Sequence, residues 1–411
     1  MSRNIITALD VGTSTVQTVV AEKNRENEKL NIMGIGMSPS LGIRRGVVVD
    51  LDDAIVSIRK SIEEAQKSAG TQIKSVWLSV GGSHISVSSS RGVVAVSRAD
   101  GEISPEDVRR AINAAETFIP KNPNKEILHM IPRDFRVDNE PGIKNPIGMH
   151  GVRLEVDTLI VECSASFLKN LFKCVEGSGL HVKDYIFSPF AASEAVLTKR
   201  QKELGVMLLD LGGGTASFMI FEEGVPIHAG VFPIGGSHIT NDVAIGFRTH
   251  VDVAERIKLA YSSCLPGDFT KKDNIHLADF IEGETISFTR KELAEIVSAR
   301  LGDVFELLQK ELKKTGRSQL LPSGVVLVGG SSLIPGMVEM TKNEIRLPVE
   351  LGVPQDFVGS MDEKYFPFLA SSLGVLKWAG SQRAGMEFLN HRSSSSSEQS
   401  PVIKWLKSLL P

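Results

Sequence analysis

The stretch Ile5-Ile6-Thr7-Ala8-Leu9-Asp10-Val11-Gly12-Thr13-Ser14-Thr15 is echoed in the second half of the chain by Gly205-Val206-Met207-Leu208-Leu209-Asp210-Leu211-Gly212-Gly213-Gly214-Thr215. Each is an apolar run, an Asp, one apolar residue, a Gly, then small hydroxyl or Gly residues ahead of another apolar run. That order predicts a strand, a tight turn and a return strand, with the carboxylate at the strand's end and bare amides in the turn. Glycines let backbone N–H groups close around an anion, and an adjacent carboxylate can position a magnesium ion, usually through water. A lone Asp-x-Gly turn is commonly an ordinary hairpin. A matched pair is what a duplicated domain produces, so the expectation is one nucleotide clamped between two similar halves.

Composition sets outer bounds. A chain of 411 residues, 42% hydrophobic and 23% charged, can fill more than one core, and at least two domains are expected. A net charge of −3 offers no concentrated basic surface, so nucleic acid is not an expected partner. Cys163, Cys174 and Cys264 lack metal-ligand spacing and read as buried apolar side chains in a reducing compartment, and the cytoplasm is the expected location. The first strand begins by Ile5, which leaves no room for a secretory signal, and no segment approaches the ~20 apolar residues of a spanning helix. His84, His129, His150 and His238 have no convincing metal spacing and are read as structural or surface residues.

The expected fold class is α/β: two duplicated α/β core domains around a cleft, each with an inserted subdomain. A strand at Leu30–Met37, a helix at Leu51–Ala69 with Ile55, Ile58, Ile62 and Ala65 at helical spacing, and a strand at Val76–Val80 entering Gly81-Gly82 build the first half. Residues 84–157 change texture, with an acidic helix start at Ser104-Pro105-Glu106-Asp107, and read as an insertion. The parent fold is expected to resume with a strand at Thr158–Ser164, a helix at Phe167–Glu176, a strand at Lys183–Phe187 and a helix at Pro189–Lys199. The first core domain is therefore 1–83 with 158–199, and the second is 200–236 with 311–378. A second inserted lobe, 237–310, carries helical patterns at Ile239–Ile257 and Lys291–Leu312 around short strands at Asn274–Ala278 and Thr285–Phe288. Val325–Val328 is an apolar strand entering a turn at Gly329, Gly330 and Ser331, a third expected nucleotide contact.

After a last body helix at 379–390, residues 391–401 form a Ser-rich linker with five consecutive serines, too polar to order itself. Residues 402–411 follow. On a helical wheel at ~100° per residue, Val402, Ile403, Trp405, Leu406, Leu409 and Leu410 share one face and Lys404, Lys407 and Ser408 take the other. At ~1.5 Å per residue the segment extends about 15 Å, so it can lie on a membrane surface but cannot span one. Docking onto the body is the alternative; the flexible tether and the Trp favour the membrane.

Together these features resemble the actin and heat-shock-chaperone ATPase superfamily, and within it the bacterial FtsA family of cell-division proteins, over nearly the whole chain. Leu9–Thr13 looks like the first phosphate motif, Leu209–Thr215 the second and Val328–Ser331 the adenosine motif; Pro189–Thr198 and Leu369–Trp378 look like the two connecting helices. His129-Met130-Ile131-Pro132, Gly142-Ile143-Lys144-Asn145-Pro146, Gly148–Arg153 and Gly235–Asp242 are similar to FtsA strings more specific than the superfamily. The resemblance implies ATP and magnesium as cofactors. Asp10 and Asp210 would orient the metal and its waters, and Gly12, Thr13, Ser14, Gly212, Gly213, Gly214 and Thr215 would present amides or hydroxyls to phosphates. Gly235, Gly236, Gly329, Gly330 and Ser331 would complete the nucleotide site. Glu255 and Lys258, one helical turn apart, look like the family's ribose contacts, although such a pair is ordinarily a solvated ion pair. Glu194 matches the place of a water-orienting catalytic residue, where a carboxylate is more often merely solvated.

The same resemblance implies a filament-forming protein at the division septum, held peripherally to the inner face of the cytoplasmic membrane by residues 402–411. It would anchor FtsZ by capturing its C-terminal peptide on 237–310, with Arg300 as a basic contact, and recruit later division proteins through 84–157, an insertion on the opposite side of the body from actin's. Neither phosphate turn contains Lys or Arg to neutralise charge on a γ-phosphate, so hydrolysis is expected to be slow, with ATP gating closure and assembly. Three rivals share the superfamily. A small-molecule kinase needs an acceptor pocket and a general base that cannot be picked out; a pilus-assembly adaptor does not account for the amphipathic tail; a chaperone needs a substrate domain beyond Trp378.

Overall fold

The structure is a computed structural model that describes residues 4–24, 29–117, 119, 122–270, 272–359 and 365–381. The expected linker 391–401 and amphipathic segment 402–411, and most of the expected helix 379–390, lie outside the described residues.

Two sheets repeat one plan. In the first, the strand order is His181–Phe187, Ser75–Val80, Ile5–Val11, Thr15–Lys23, Leu30–Pro39 and Phe357–Val358. In the second it is Val349–Leu351, Val325–Val328, Val206–Leu211, Ala216–Glu222 and Val225–Phe232. Each sheet centres on a strand that pairs antiparallel with its hairpin partner on one side and parallel with a later strand on the other. Register repeats as well: Asp10 stands opposite Gln17, and Asp210 opposite Ser217. The central strands are covered on both faces, which is why they read as continuous apolar runs rather than alternating ones.

Between the sheets lie helices Ser188–Val196 and Phe366–Gly380. They touch backbone to backbone: a Cβ at Gly374 would lie 2.9 Å from the Ala192 nitrogen, so only glycine permits the approach. Around them a single apolar cluster joins Leu9, Val19 and Leu78 of the first sheet to Leu208 and Val326 of the second. Burying each such side chain contributes about 1.5–3 kcal/mol, and the two halves share this core.

A four-stranded antiparallel sheet forms the insertion in the first half, in the order Ser86–Ala95, Arg153–Ser164, Lys125–Val137 and Glu140–Ile143, with helix Pro105–Thr117 on one face. Residues 158–164, expected to resume the parent sheet, are the second half of Arg153–Ser164, and both their neighbours belong to the inserted sheet. Alternation explains the apparent continuity with the body. Leu154 and Val156 face the inserted helix, whereas Leu159, Val161 and Cys163 on the other face join the main core.

Three helical expectations shift. The single pattern at Ile239–Ile257 is two helices, Gly236–Gly246 and Val251–Tyr261, separated where Arg248 adopts φ +50. Phe247 at the break turns inward, 2% exposed, and stacks on Phe288 at 4.0 Å between ring centroids, so tertiary packing overrides helical continuity. The helix expected over 189–199 ends at Val196, and a short helix, Lys199–Leu204, restarts under a Thr198 capping box. Lys291–Leu312 lies within a longer helix, Arg290–Lys314, capped by Thr289 and Glu292.

Candidate functional site

Both hairpins open into one cleft of about 640 Å³ between the two sheets. Their turns close identically, with Gly12 N–H donating to Thr15 O at 3.1 Å and Gly212 N–H to Thr215 O at 3.0 Å. Across the cleft the turns abut. A Cβ at Gly214 would lie 2.8 Å from Thr13 Cβ, and one at Gly213 would lie 2.9 Å from Ser14 Cβ, so each glycine of the second turn faces a hydroxyl residue of the first. Thr13 Oγ1 in turn accepts from Gly46 N–H at 2.9 Å.

Asp10 and Asp210 end the central strands and line this cleft. Burial raises the Asp10 carboxyl to about 6, against the opposing effect of a hydrogen bond with Ser79. Asp210 is raised to about 7 by burial and then by the charge of Asp10. A cation beside the two would favour their ionised form. Among the described residues no group of three or more His, Cys, Asp or Glu could hold a metal alone. Two acids beside bare turn amides therefore fit magnesium carried in with phosphates and water rather than a caged structural ion.

The sequence-read residues converge unevenly. Gly12, Thr13, Ser14, Gly212, Gly213, Gly214, Thr215, Gly236, Glu255, Lys258, Gly329, Gly330 and Ser331 all line the cleft. Gly235 sits behind the second turn, its N–H donating to His238 Nδ1 at 3.1 Å. The amides of Gly236 and Ser237 donate to the carbonyls of Gly212 and Gly213 at 2.9 and 2.7 Å, so the start of helix Gly236–Gly246 holds that turn in place. Glu255 and Lys258 are more than a solvated pair: Lys258 Nζ bonds Glu255 Oε2 at 2.7 Å, Thr240 Oγ1 at 2.8 Å and Gly236 O at 3.3 Å, and Thr240 also bonds Glu255.

Glu194 is not brought to the cleft. Its carboxylate bonds Lys202 Nζ at 2.8 Å, whereas the first residue of its helix, Ser188, is the one lining the site. Six residues at ~1.5 Å of rise put Glu194 roughly 9 Å further along the helix than Ser188. Arg300 lies on helix Arg290–Lys314, where a bidentate pair with Asp242 (2.6 and 2.9 Å) and a bond to Asp303 (2.8 Å) occupy its guanidinium.

Ser79 and Ser188 have no place in the sequence analysis, and Gly81 and Gly82 appear there only as the turn after a strand, not as part of the site. Ser79 Oγ and Ser188 Oγ are 2.5 Å apart beside Asp10, and Ser188 and both glycines line the cleft. A signal was available: Val80-Gly81-Gly82-Ser83 repeats Val328-Gly329-Gly330-Ser331 letter for letter, each where a strand parallel to an Asp-bearing strand ends.

A duplicated sheet with two facing Asp-x-Gly hairpins around one cleft defines the actin-like ATPase fold class. Solved structures agree on the fold. The PilM–PilN type IV pilus biogenesis complex matches with TM-score 0.68 at 16% identity, covering 91% of this chain and 98% of that one. MreB5 of Spiroplasma citri bound to ADP matches with TM-score 0.54 at 13% identity, covering 93% and 98%. The family described as cell division protein FtsA matches residues 207–374, and the SHS2 domain inserted in FtsA matches 82–162. Among curated relatives, cell division protein FtsA of Pseudomonas aeruginosa is 38% identical over 99% of this chain and 97% of its own length. That of Bacillus subtilis is 34% identical over 92% and 84%. The chain belongs to the FtsA family of cell-division proteins.

Proposed function

We propose that this protein binds ATP with magnesium in the cleft, and that closure of the halves governs its assembly into filaments on the inner face of the cytoplasmic membrane at the division septum. The observation that carries the reading is the abutting pair of hairpins, with amides and hydroxyls converging beside two carboxylates. Asp10 and Asp210 would hold the ion through water, where it would neutralise phosphate charge; Gly12–Ser14 and Gly212–Thr215 would bind phosphates, and Glu255 and Lys258 the sugar. No basic residue stands in either turn, so turnover is slow and works as a timer. Residues 402–411 would anchor the protein to lipid, lobe 237–310 would capture the FtsZ C-terminal peptide, and 84–157 would recruit later division proteins. Among the described residues no helix is long and apolar enough to cross a membrane.

Calorimetry tests the core of this reading. Wild type takes up ATP in a magnesium-dependent way, and the double variant Asp10→Asn with Asp210→Asn does not; magnesium-dependent uptake surviving both changes overturns it. Replacing Trp405 and Leu406 by Glu should abolish sedimentation with anionic vesicles at unchanged ATP affinity. The pilus-adaptor alternative rests on a shared fold at 16% identity, and a pulldown with the FtsZ tail against a pilus-protein tail separates the two.

A further inference from the structure

One basic residue in the cleft has no role in the site described so far. Arg290 opens helix Arg290–Lys314 and, with Lys258, supplies the basic groups among the described lining residues. Its backbone N–H donates to Asp273 O at 2.8 Å, which fixes where the side chain starts. The guanidinium lies over the Phe269 ring at 4.4 Å from the centroid, with Tyr261 at 5.8 Å. No carboxylate stands within salt-bridge distance among the described residues, and its Nε is buried without a hydrogen-bond partner. What makes Arg290 available to a ligand is its place in the cleft lining with one face of its guanidinium backed by an aromatic ring.

Position along the cleft says which part of a ligand that is. Helix Val251–Tyr261 carries Glu255 and Lys258, and Lys258 reaches back to Gly236 beside the second hairpin. Beyond Lys258, away from the hairpins, the same helix ends in Tyr261 and Ser262, and here the wall consists of Ser262, Ile334, Pro335 and Arg290. With phosphates on the hairpins and the sugar at Glu255 and Lys258, the nucleobase falls against this wall. A planar guanidinium backed by an aromatic ring offers a flat, weakly hydrated face for stacking, which an ammonium cannot match.

We propose that Arg290, held over Phe269, is the platform on which the base of the bound nucleotide stacks, and that it gives the site its preference for a purine over a pyrimidine. This rests on the reading of the cleft as an ATP site. A two-ring base covers more of such a platform than a one-ring base, so removing it costs ATP more than CTP.

The test is titration of the full chain with magnesium and ATP, CTP or tripolyphosphate, comparing wild type with Arg290→Ala, Arg290→Gln and Arg290→Lys. Arg290→Ala should weaken ATP about tenfold, in keeping with the loss of one stacked base, shrink the ATP-to-CTP ratio and leave tripolyphosphate unchanged. Arg290→Lys should not restore the ratio, and Arg290→Gln, which keeps a planar polar end, supplies the same readout where the alanine variant unfolds. ATP affinity unchanged in both neutral variants overturns the proposal, as does a parallel fall in ATP and tripolyphosphate, which would make Arg290 a general electrostatic or scaffolding residue. Wild type that binds tripolyphosphate no more weakly than ATP sinks the base platform alone; wild type that binds neither sinks the ATP reading as well.

Discussion

Thr13 and Gly214 meet where the two hairpins touch, with the site of a Gly214 Cβ only 2.8 Å from Thr13 Cβ. The first turn supplies the side chain and the second supplies the space, so the duplicated motifs fit together because they are not identical. Adding a methyl at Gly214 forces the turns apart. Gly214→Ala should weaken magnesium-ATP binding about tenfold or more, about 1.4 kcal/mol per decade, while the fold persists. Because the clash is with Thr13 itself, adding Thr13→Ala should recover part of the loss, and calorimetry across the double-mutant cycle measures that coupling. Additive losses would mean the turns act independently.

Asp10 and Asp210 give the nucleotide-free protein a pH signature. Their carboxyls sit near 6 and 7 rather than the usual 3.8, so between those values the folded chain holds protons that the unfolded chain has released. Stability contributed by these groups is therefore intact below about pH 4 and falls as pH rises to about 7. Other groups titrate across the range, so the comparison that isolates the pair is wild type against Asp10→Asn with Asp210→Asn. Thermal melts without nucleotide should show the variant gaining on wild type from pH 5 to pH 8. A variant that loses ground over that range would contradict the burial of these acids.

The hairpins were legible in the sequence because everything that makes them is local: an apolar run, an Asp, a turn of small residues, a return strand. The fold class follows from finding that unit twice. What escaped depends on contacts between distant segments. Residues 158–164 pack into the main core through Leu159, Val161 and Cys163 although both neighbouring strands belong to the inserted sheet, and no periodicity distinguishes that from a strand of the parent sheet. The Lys202 partner of Glu194 comes from the next helix, and Ser79 and Ser188 matter only because a parallel pairing brings strand Ser75–Val80 beside Asp10.

His129 seats the inserted sheet on the wall of the cleft. It is fully buried, and its Nε2 accepts from Phe187 N–H at 2.8 Å, one residue before Ser188; on the same strand Arg133 Nη1 donates to Ile227 O of the second half at 2.8 Å. Burial lowers the His129 imidazole to about 3, so it stays neutral and able to accept throughout the physiological range. His129→Ala strands the Phe187 amide, at a cost of about 1–3 kcal/mol. Chemical denaturation should register that loss, and His129→Gln, whose amide oxygen can accept, should recover part of it. Equal losses in the two variants would point to lost packing against Phe190 rather than to the hydrogen bond.

Arg300 is placed to hold the second hairpin from behind. Its fork grips Asp242 on helix Gly236–Gly246, and the first amides of that helix clasp the carbonyls of Gly212 and Gly213. A lysine keeps the charge but cannot form the two parallel bonds, so Arg300→Lys should let the helix start drift and weaken magnesium-ATP binding several-fold. Arg300→Glu sets like charges against Asp242 and Asp303 and should weaken it further. Binding of an FtsZ tail peptide, measured on the same variants by fluorescence anisotropy, is the discriminating control. A loss confined to the peptide, with nucleotide affinity untouched, would assign Arg300 to the partner surface; a loss of nucleotide affinity assigns it to the support of the phosphate turn.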